Sequence, residues 1–337
     1  MTTASSIPPA IGAPDPVALL AQGAGVLSAI GNTPLVDISL LLDPATTADG
    51  VRLLAKLESA NPSGSVKDRV ALSMIRRAQE SGALQPGQML LEPTSGNTGI
   101  SLAMIGAVLG YPLRAVMPEN VTRERVGLLE LFGAEVVFSP AELGSNGSVR
   151  MAQELAAADP SLFMPLQYEN PANPDAHYNG TAPELLEQTG GRIDHFIAGL
   201  GTGGTLMGVG RRLRETLPDV QIVAAEPRPG DSIMGLRSLE EGYVPPVLDA
   251  SLLDRRILVG NADSVGGTRA LTRAGIFAGV SAGAALHVAR RIAREATAGQ
   301  TIVLLVADSG WKYLSAGLWD TRDKDSLETD MEAGHWW

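Results

Sequence analysis

Short β-rich runs alternate with helical patterns from residue 51 onward. Strands that alternate with helices form parallel sheets with helices on their faces, so this rhythm predicts the α/β class, with parallel-rich sheets covered by helices. The predicted strands are 51–58, 89–92, 113–117, 135–138, 195–199, 221–226 and 301–307. The predicted helices are 68–81, 98–109, 123–132, 149–157, 181–188, 203–217 and 282–295.

The length of 337 residues predicts two lobes, with enough chain for well-formed hydrophobic cores. A stretch rich in Pro and Asn, 167–174, breaks both periodicities and is the predicted crossing between the lobes. The predicted division is a disordered lead-in, 1–24; an N-terminal lobe, 50–165; a C-terminal lobe, 25–49 with 166–319; and a mobile tail, 320–337.

Charge and composition exclude several classes of function. The chain has 26 basic and 37 acidic residues, a net charge of −11, which argues against nucleic acid or an anionic membrane as a main partner. No apolar run approaches the ~18 residues that a membrane span needs. The chain has no cysteine, and its 4 histidines lack the spacing of a metal site, so no metal is expected. The N-terminus lacks the features of a signal peptide, which predicts a cytoplasmic protein.

The stretch 61–69 reads Asn-Pro-Ser-Gly-Ser-Val-Lys-Asp-Arg and joins a predicted strand to a predicted helix. Lys67 lies in the first helical turn, where the helix dipole disfavours a cation but not a lysine held as an uncharged imine. Lys67 is therefore a candidate imine-forming lysine. The alternative is a solvated lysine in a loop at the start of a helix.

The stretch 200–205 reads Leu-Gly-Thr-Gly-Gly-Thr, follows the predicted strand 195–199 and opens a helix. Its backbone N–H groups and hydroxyls can surround an anion at the helix N-terminus. It lacks a Walker lysine and the Gly-x-Gly-x-x-Gly spacing, which favours a small phosphorylated cofactor over a nucleotide. The alternative is a glycine-rich turn that is needed only for tight packing of strand and helix.

Two further stretches offer hydroxyl groups at helix starts. Residues 94–99, Thr-Ser-Gly-Asn-Thr-Gly, carry three hydroxyls and an amide, which suit a carboxylate ligand. An N-cap with turn glycines would explain the same residues. Ser281, at a predicted helix start, is either a simple N-cap or a neutral partner for a pyridine nitrogen, which it would bind without protonating it.

In order and spacing, these stretches resemble those of the fold type II pyridoxal phosphate enzymes, and residues 27–315 are similar to the cysteine synthase family. The resemblance implies a two-lobed, tryptophan synthase β-like fold with pyridoxal 5'-phosphate as cofactor. It implies that Lys67 forms the internal aldimine, that Asn97 meets the ring oxygen and that Ser281 faces the pyridine nitrogen. The implied phosphate cup is Gly201, Thr202, Gly203, Gly204 and Thr205. The implied carboxylate site is Thr94, Ser95, Thr98 and Gln167.

The resemblance also implies a β-replacement reaction on a small amino-acid substrate. Lys67 would take the Cα proton as a general base, and a leaving group would depart from Cβ. A sulfur nucleophile would then add to the resulting α-aminoacrylate. Because Ser281 cannot protonate the ring as a carboxylic acid would, elimination is expected rather than a long-lived carbanion.

Within the family, the chain resembles the actinobacterial-type CysM cysteine synthases, through the stretches 119–120, 123–125, 235–242 and 311–315. The resemblance implies that Arg237 faces the phosphate of an O-phosphoserine substrate, that the sulfur donor is a thiocarboxylated sulfur-carrier protein and that the protein is a homodimer. The alternatives are an O-acetylserine sulfhydrylase and a synthase that adds an amine. A relative that has lost catalysis is disfavoured, because the chain retains Lys67, Asn97 and Ser281.

Two of these assignments have structural alternatives. Arg237 could instead be an exposed arginine paired with Glu240 or Glu241, since a helix places residues three and four apart on one face. The charge-dense tail, 320–332, runs into 333–337, which contain two tryptophans. We expect the tail to fold over the site as a lid that excludes water; the alternative is a disordered end without a role.

Overall fold

The computed structural model describes residues 25–319, which form two sheets covered by helices. The larger sheet contains β1 (Leu35–Asp37), β2 (Arg52–Leu57), β6 (His195–Gly199), β7 (Gln221–Pro227), β8 (Arg255–Val259) and β9 (Thr301–Val306). The smaller sheet contains β3 (Leu90–Pro93), β4 (Leu113–Pro118) and β5 (Glu135–Ser139). The helices are α1 (Lys67–Glu80), α2 (Asn97–Leu109), α3 (Arg123–Leu131), α4 (Gly144–Ala158), α5 (Ala172–Ala176), α6 (Ala182–Thr189), α7 (Gly204–Thr216), α8 (Asn261–Arg273) and α9 (Val280–Glu295). Within this part of the chain, no helix combines the length and the apolar character that a bilayer span requires.

Both sheets are built on parallel pairing. The strand order is β1-β2-β9-β6-β7-β8 in the larger sheet and β3-β4-β5 in the smaller one. Only the pair β1-β2 is antiparallel among the strands described. Because the carboxyl ends of parallel strands meet at one edge of a sheet, the loops after β6, β7 and β9 are brought together. The loop after β3 lies at the corresponding edge of the smaller sheet.

The central strand β9 shows why the larger sheet is stable. All of its residues are buried, as expected for a strand with parallel neighbours and helices on both faces. Ile302 and Leu304 pack with the buried side of α9, whereas Val303 and Leu305 pack with α7 on the other face. This alternation follows from the period of two along a strand. The same sheet therefore fixes the starts of α7 and α9, which both carry predicted site residues.

The predicted α/β class is confirmed, and each predicted strand and helix is present. The strand at 195–199 has the predicted bounds, and the other predicted elements have shifted ends. The largest shift is at α4, which begins five residues earlier than predicted. The prediction missed β1, β8, α5 and α8. Strand β8 lies at the sheet edge and opens with two arginines, so it does not read as a buried run. Helix α8 contains Gly266 and Gly267, which are poor helix formers.

The predicted division of the chain stays a prediction. Strand β2 lies within the range 50–165 that was assigned to the N-terminal lobe, yet it pairs with β9 in the larger sheet. The smaller sheet, β3-β4-β5, lies wholly within that range. The lead-in 1–24 and the tail 320–337, including the proposed lid, lie outside the described residues.

Candidate active site

A cavity of about 680 Å³ is lined by loops from both sheets. The predicted site residues in its wall are Lys67, Thr94, Ser95, Asn97, Thr98, Gln167, Gly201, Thr202, Arg237 and Ser281. A smaller cavity of about 40 Å³ shares four of these, Lys67, Gly201, Thr202 and Ser281, and adds Gly203 and Thr205. Of the predicted site residues, Gly204 lines neither cavity.

Lys67 is the first residue of α1, as the sequence predicted to within one position. The turn before it is tied to the end of β9, because the N–H of Val66 donates to the carbonyl oxygen of Ala307 over 2.8 Å. Burial lowers the pKa of the Lys67 amine, while the nearby Asp308 carboxylate acts in the opposite direction. Loss of its proton is therefore easier for Lys67 than for a lysine in water, which suits a nucleophile and a general base.

The glycine-rich stretch forms a cup at the start of α7. Gly203 has φ +87°, a left-handed conformation that favours glycine, and α7 begins at the next residue. A Cβ on Gly204 would lie 1.9 Å from Asn173 Oδ1, so this glycine is required for packing. Asn173 Nδ2 in turn donates to Thr202 Oγ1 over 2.9 Å. Packing therefore explains Gly204, whereas Thr202 and Thr205 face the cavities, and anion binding by this stretch stays a prediction.

His177, which sequence reasoning missed, supports the cup from behind. It is buried in a π-helical turn, His177–Thr181, between α5 and α6. Its Nε2 lies 3.2 Å from Thr205 Oγ1 and its Nδ1 lies 3.0 Å from Thr181 Oγ1. Burial, with the positive charges of Lys67 and Arg69, lowers the pKa of His177 well below its ordinary value of 6.5. A neutral His177 therefore orients the Thr205 hydroxyl.

The loop 94–96, between β3 and α2, is held in shape by hydrogen bonds of its own side chains. Thr94 Oγ1 accepts hydrogen bonds from the N–H of Gly96 over 3.0 Å and from the N–H of Gly99 over 3.2 Å. Thr98 Oγ1 donates to Gln167 Oε1 over 2.7 Å, which links this loop to the crossing between the sheets. The side chain of Thr94 therefore has a structural function in addition to lining the cavity.

Arg125, at the start of α3, holds the same loop from outside. Its Nη1 donates to the carbonyl oxygen of Ser95 over 2.9 Å. Its guanidinium stacks over the ring of Tyr313, 4.9 Å from the centroid. A Cβ on Gly96 would lie 2.5 Å from Arg125 Cδ, so only glycine allows this approach. The sequence placed Arg125 in a family stretch but did not predict this contact.

Gln167 is held by a buried carboxyl group at the end of β3. Glu92 accepts hydrogen bonds from the N–H groups of Leu166 over 2.8 Å and of Gln167 over 3.1 Å. Leu166 has φ +50°, an unusual conformation for a residue with a side chain. Burial raises the pKa of Glu92 to about 8. The position of Gln167 in the cavity therefore depends on a carboxyl group that sequence reasoning did not identify.

Asn97 lies within a set of buried charged groups. Its Nδ2 donates to Asp308 Oδ2 over 2.7 Å, and its Oδ1 accepts from Lys312 Nζ over 2.7 Å. Tyr313 OH donates to the same Asp308 oxygen over 2.7 Å. Ser281, at the start of α9, lines both cavities. Asn97 and Ser281 therefore both meet the space next to Lys67.

Arg237 follows β7 and is 9% exposed. Its guanidinium lies 5.3 Å from the centroid of the Tyr168 ring and 4.9 Å from that of Tyr243. Its Nη1 donates to Asn146 Oδ1 over 3.0 Å, which reaches across to α4. Arg237 forms no ion pair with any carboxylate whose side chain the structure describes. The alternative of an exposed Arg237 paired with Glu240 is therefore not what the structure has, and the charge of Arg237 is available to the cavity.

Comparisons with known proteins agree along most of the chain. The family described as "Pyridoxal-phosphate dependent enzyme" matches residues 26–308. The chain is 43% identical over 298 residues to cysteine synthase B of Pseudomonas aeruginosa, across 88% of this chain and 98% of the relative. It is similar to the solved O-ureido-L-serine synthase, with 39% identity and a TM-score of 0.81 over 90% of this chain and 98% of that one. O-acetylserine sulfhydrylase isoform 3 of Entamoeba histolytica is similar as well, with 34% identity and a TM-score of 0.82 over 92% of this chain and 95% of that one.

Proposed function

The chain belongs to the pyridoxal-phosphate dependent enzyme family, and within that family we propose that it is a cysteine synthase whose substrate is O-phospho-L-serine. Membership confirms pyridoxal 5'-phosphate as the cofactor and a β-replacement enzyme as the class. The choice of O-phosphoserine over O-acetylserine rests on one observation, that the guanidinium of Arg237 lies in the cavity wall and has no ion-pair partner among the described side chains.

The residues of the cavity fit this cofactor. The Lys67 amine has no hydrogen-bond partner among residues 25–319, so it is free to join a carbonyl carbon. The start of α7 presents backbone N–H groups and the hydroxyls of Thr202 and Thr205, which suit a phosphate monoester. A Cβ on Gly201 would lie 2.8 Å from the carbonyl oxygen of Gly235, so the cup requires glycine there. The donor set and the space both match pyridoxal 5'-phosphate.

When bound, pyridoxal phosphate supplies an electron sink for the Cα atom of the amino acid. The Lys67 amine, whose pKa burial lowers, takes the proton from Cα and later returns it. The Ser281 hydroxyl is a neutral partner for a ring nitrogen and cannot protonate it as a carboxylic acid would. Thr98 and Gln167, joined by a hydrogen bond of 2.7 Å, orient the carboxylate of the substrate.

Arg237 supports a phosphorylated leaving group. A phosphate monoester carries roughly −1.5 to −2 charges at neutral pH, and a protein of net charge −11 needs a local cation to attract it. The planar guanidinium can bind two phosphate oxygens at once. Its two aromatic neighbours, Tyr168 and Tyr243, hold the plane without neutralising the charge. An acetyl leaving group would gain nothing from such a site.

Replacement of Arg237 by Ala tests the substrate assignment. A charge-assisted hydrogen bond is worth about 1.5–3 kcal/mol, so kcat/KM for O-phosphoserine with sulfide should fall by about tenfold to a hundredfold. The value for O-acetylserine should be nearly unchanged. Arg228→Ala is the matched control, because Arg228 lies in the same connection after β7 but is exposed and paired with Asp263. Equal loss with both substrates, or none with either, would favour an O-acetylserine sulfhydrylase.

The remaining features are proposed from the family resemblance alone. We propose a thiocarboxylated sulfur-carrier protein as the sulfur donor, a homodimer as the assembly and the cytoplasm as the location. The stretches 119–120, 123–125, 235–242 and 311–315 carry that resemblance. An amine nucleophile in place of sulfur is the remaining alternative for the second substrate.

A further inference from the structure

Lys312 is a lysine that no step of the proposed reaction uses, yet it is fully buried beside the cavity. It lies in the 3-10 helix Gly310–Ala316, which follows β9. Its Nζ donates to Asn97 Oδ1 over 2.7 Å and to the carbonyl oxygen of Gly64 over 3.3 Å. A buried ammonium group is unfavourable unless its environment uses the charge.

We propose that Lys312 is a positioning residue that, together with Asp308, fixes the amide of Asn97 so that it presents an N–H group to the cofactor. The inference rests on the proposed function in one respect, namely that the cofactor is the group that accepts the hydrogen bond from the Asn97 N–H. The orientation of the amide itself follows from the contacts on either side of it.

The two partners of Asn97 carry opposite charges, and this difference sets the amide. The carboxylate of Asp308 faces Nδ2, and the ammonium of Lys312 faces Oδ1, each over 2.7 Å. A rotated amide would bring an NH₂ group against the ammonium and a carbonyl oxygen against the carboxylate. Both charge-assisted hydrogen bonds would be lost and replaced by repulsion. An asparagine amide is otherwise almost symmetrical in shape, so charge is what distinguishes its two orientations.

One hydrogen of Asn97 Nδ2 remains after the bond to Asp308, and it has no partner within residues 25–319. Asn97 and Lys67 line the same cavity, so this N–H group could meet a cofactor held by Lys67. A donor is the correct group for an anionic ring oxygen, whereas a carbonyl in the same place would repel it. Lys312 therefore acts on the cofactor through Asn97 without touching it.

The charge of Lys312 depends on its neighbours and on pH. Burial lowers its pKa to about 8; the carboxylates of Asp308 and Asp68 act to raise it, and the guanidinium of Arg125 acts to lower it. The Asp308 carboxylate also acts to raise the pKa of Lys67, which is the other lysine next to Asp308. Lys312 is thus charged at neutral pH and loses its proton above about pH 8, where the constraint on the amide weakens.

A double-mutant cycle tests whether Lys312 acts through Asn97. The dissociation constant of pyridoxal 5'-phosphate is measured by equilibrium dialysis at neutral pH for Lys312→Met, Asn97→Ala and the double variant. Loss of one charge-assisted contact should weaken binding about tenfold or more in Lys312→Met. In the Asn97→Ala background, Lys312→Met should add little, because its target is already gone. Equal losses in both backgrounds would show a merely structural lysine and overturn the proposal.

Two controls separate orientation from general loss of stability. Lys56 is also fully buried, and its Nζ donates to Glu184 and Gln188 away from the cavity, so Lys56→Met should leave the dissociation constant unchanged. Lys312→Arg keeps a cation that does not titrate near pH 8. Cofactor binding by the wild type should weaken above about pH 8 relative to that of Lys312→Arg. If the two pH profiles are parallel, the charge of Lys312 does not orient Asn97.

Different experiments would contradict the O-phosphoserine assignment and the positioning role of Lys312. Arg237→Ala should alter the choice of amino-acid substrate and leave the dissociation constant of the cofactor unchanged. Lys312→Met should alter the dissociation constant and leave the ratio of kcat/KM values for O-phosphoserine and O-acetylserine unchanged. A change in that ratio for Lys312→Met would count against a role that is confined to Asn97.

Discussion

Replacement of Glu92 by Gln tests how the crossing segment is held beside the cavity. Glu92 is 0% exposed and accepts the N–H groups of Leu166 and Gln167. Burial raises its pKa from 4.5 to about 8, although the two N–H groups act in the opposite direction. One pKa unit corresponds to ~1.36 kcal/mol, so ionised Glu92 destabilises the folded protein by on the order of 5 kcal/mol at about pH 8.

The sign of the pH dependence follows from the direction of this shift. The pKa of Glu92 is higher in the folded protein than in the unfolded chain, so the unfolded chain loses the proton first as the pH rises. The stability that Glu92 contributes is therefore fully present below about pH 4.5 and is lost as the pH rises through about 8. Between these values, Glu92 alone should lower the free energy of unfolding by about 1.4 kcal/mol per pH unit.

Urea unfolding of the cofactor-free protein between about pH 5 and about pH 8 measures this effect. Glu92→Gln has no charge to lose, but its amide can accept only one of the two N–H groups, which costs about 1–3 kcal/mol. The wild type should be more stable than the variant at the lower pH and less stable at the higher pH. Asp159→Asn, at an exposed carboxylate, should not abolish the slope. Parallel curves for the wild type and Glu92→Gln would refute the reasoning.

Two further predictions concern the cofactor contacts. Borohydride reduction of the holoenzyme, followed by peptide mass mapping, should find the pyridoxyl group on Lys67. The Lys67 amine lines the cavity and has no hydrogen-bond partner among the described residues. Recovery of the pyridoxyl group on another lysine would contradict this prediction. Ser281→Asp should slow elimination from the amino-acid substrate, because an acidic group would protonate the ring nitrogen that a hydroxyl leaves unprotonated. An unchanged rate for Ser281→Asp would remove Ser281 from its proposed role.

Much of the site could be predicted because its parts are short stretches of adjacent residues. A glycine with φ > 0°, a hydroxyl at a helix start and a helix N-terminus are all encoded within a few positions, as at Gly203 and Ser281. Their convergence on one site was implied by the resemblance to the cysteine synthase family and not by the local patterns themselves. Lys67, Thr98 and Ser281 were therefore expected to share one cavity before any distance was known.

Contacts between distant parts of the chain could not be predicted in this way. Asn146 is 91 positions from Arg237, and Lys312 is 215 positions from Asn97. Nothing in the local sequence distinguishes Lys312 from a solvated lysine, because its burial depends on contacts with Gly64, Asn97 and Thr122, which are distant in the chain. His177 has one local signal, a hydroxyl four positions later at Thr181, but its contact with Thr205 required the fold.

The main cavity is locally positive, although the protein as a whole carries a negative net charge. The net charge is −11, yet the wall of the main cavity carries two guanidinium groups, those of Arg125 and Arg237, besides the amine of Lys67. Glu142 is the only carboxylate among the described residues of that wall. The N-termini of α2, α7 and α9 add partial positive charge at the same edge. Because the cofactor phosphate and the substrate carboxylate are anions, as the proposed phosphate leaving group would be, each needs its own local donors, and a protein of this composition would otherwise repel them.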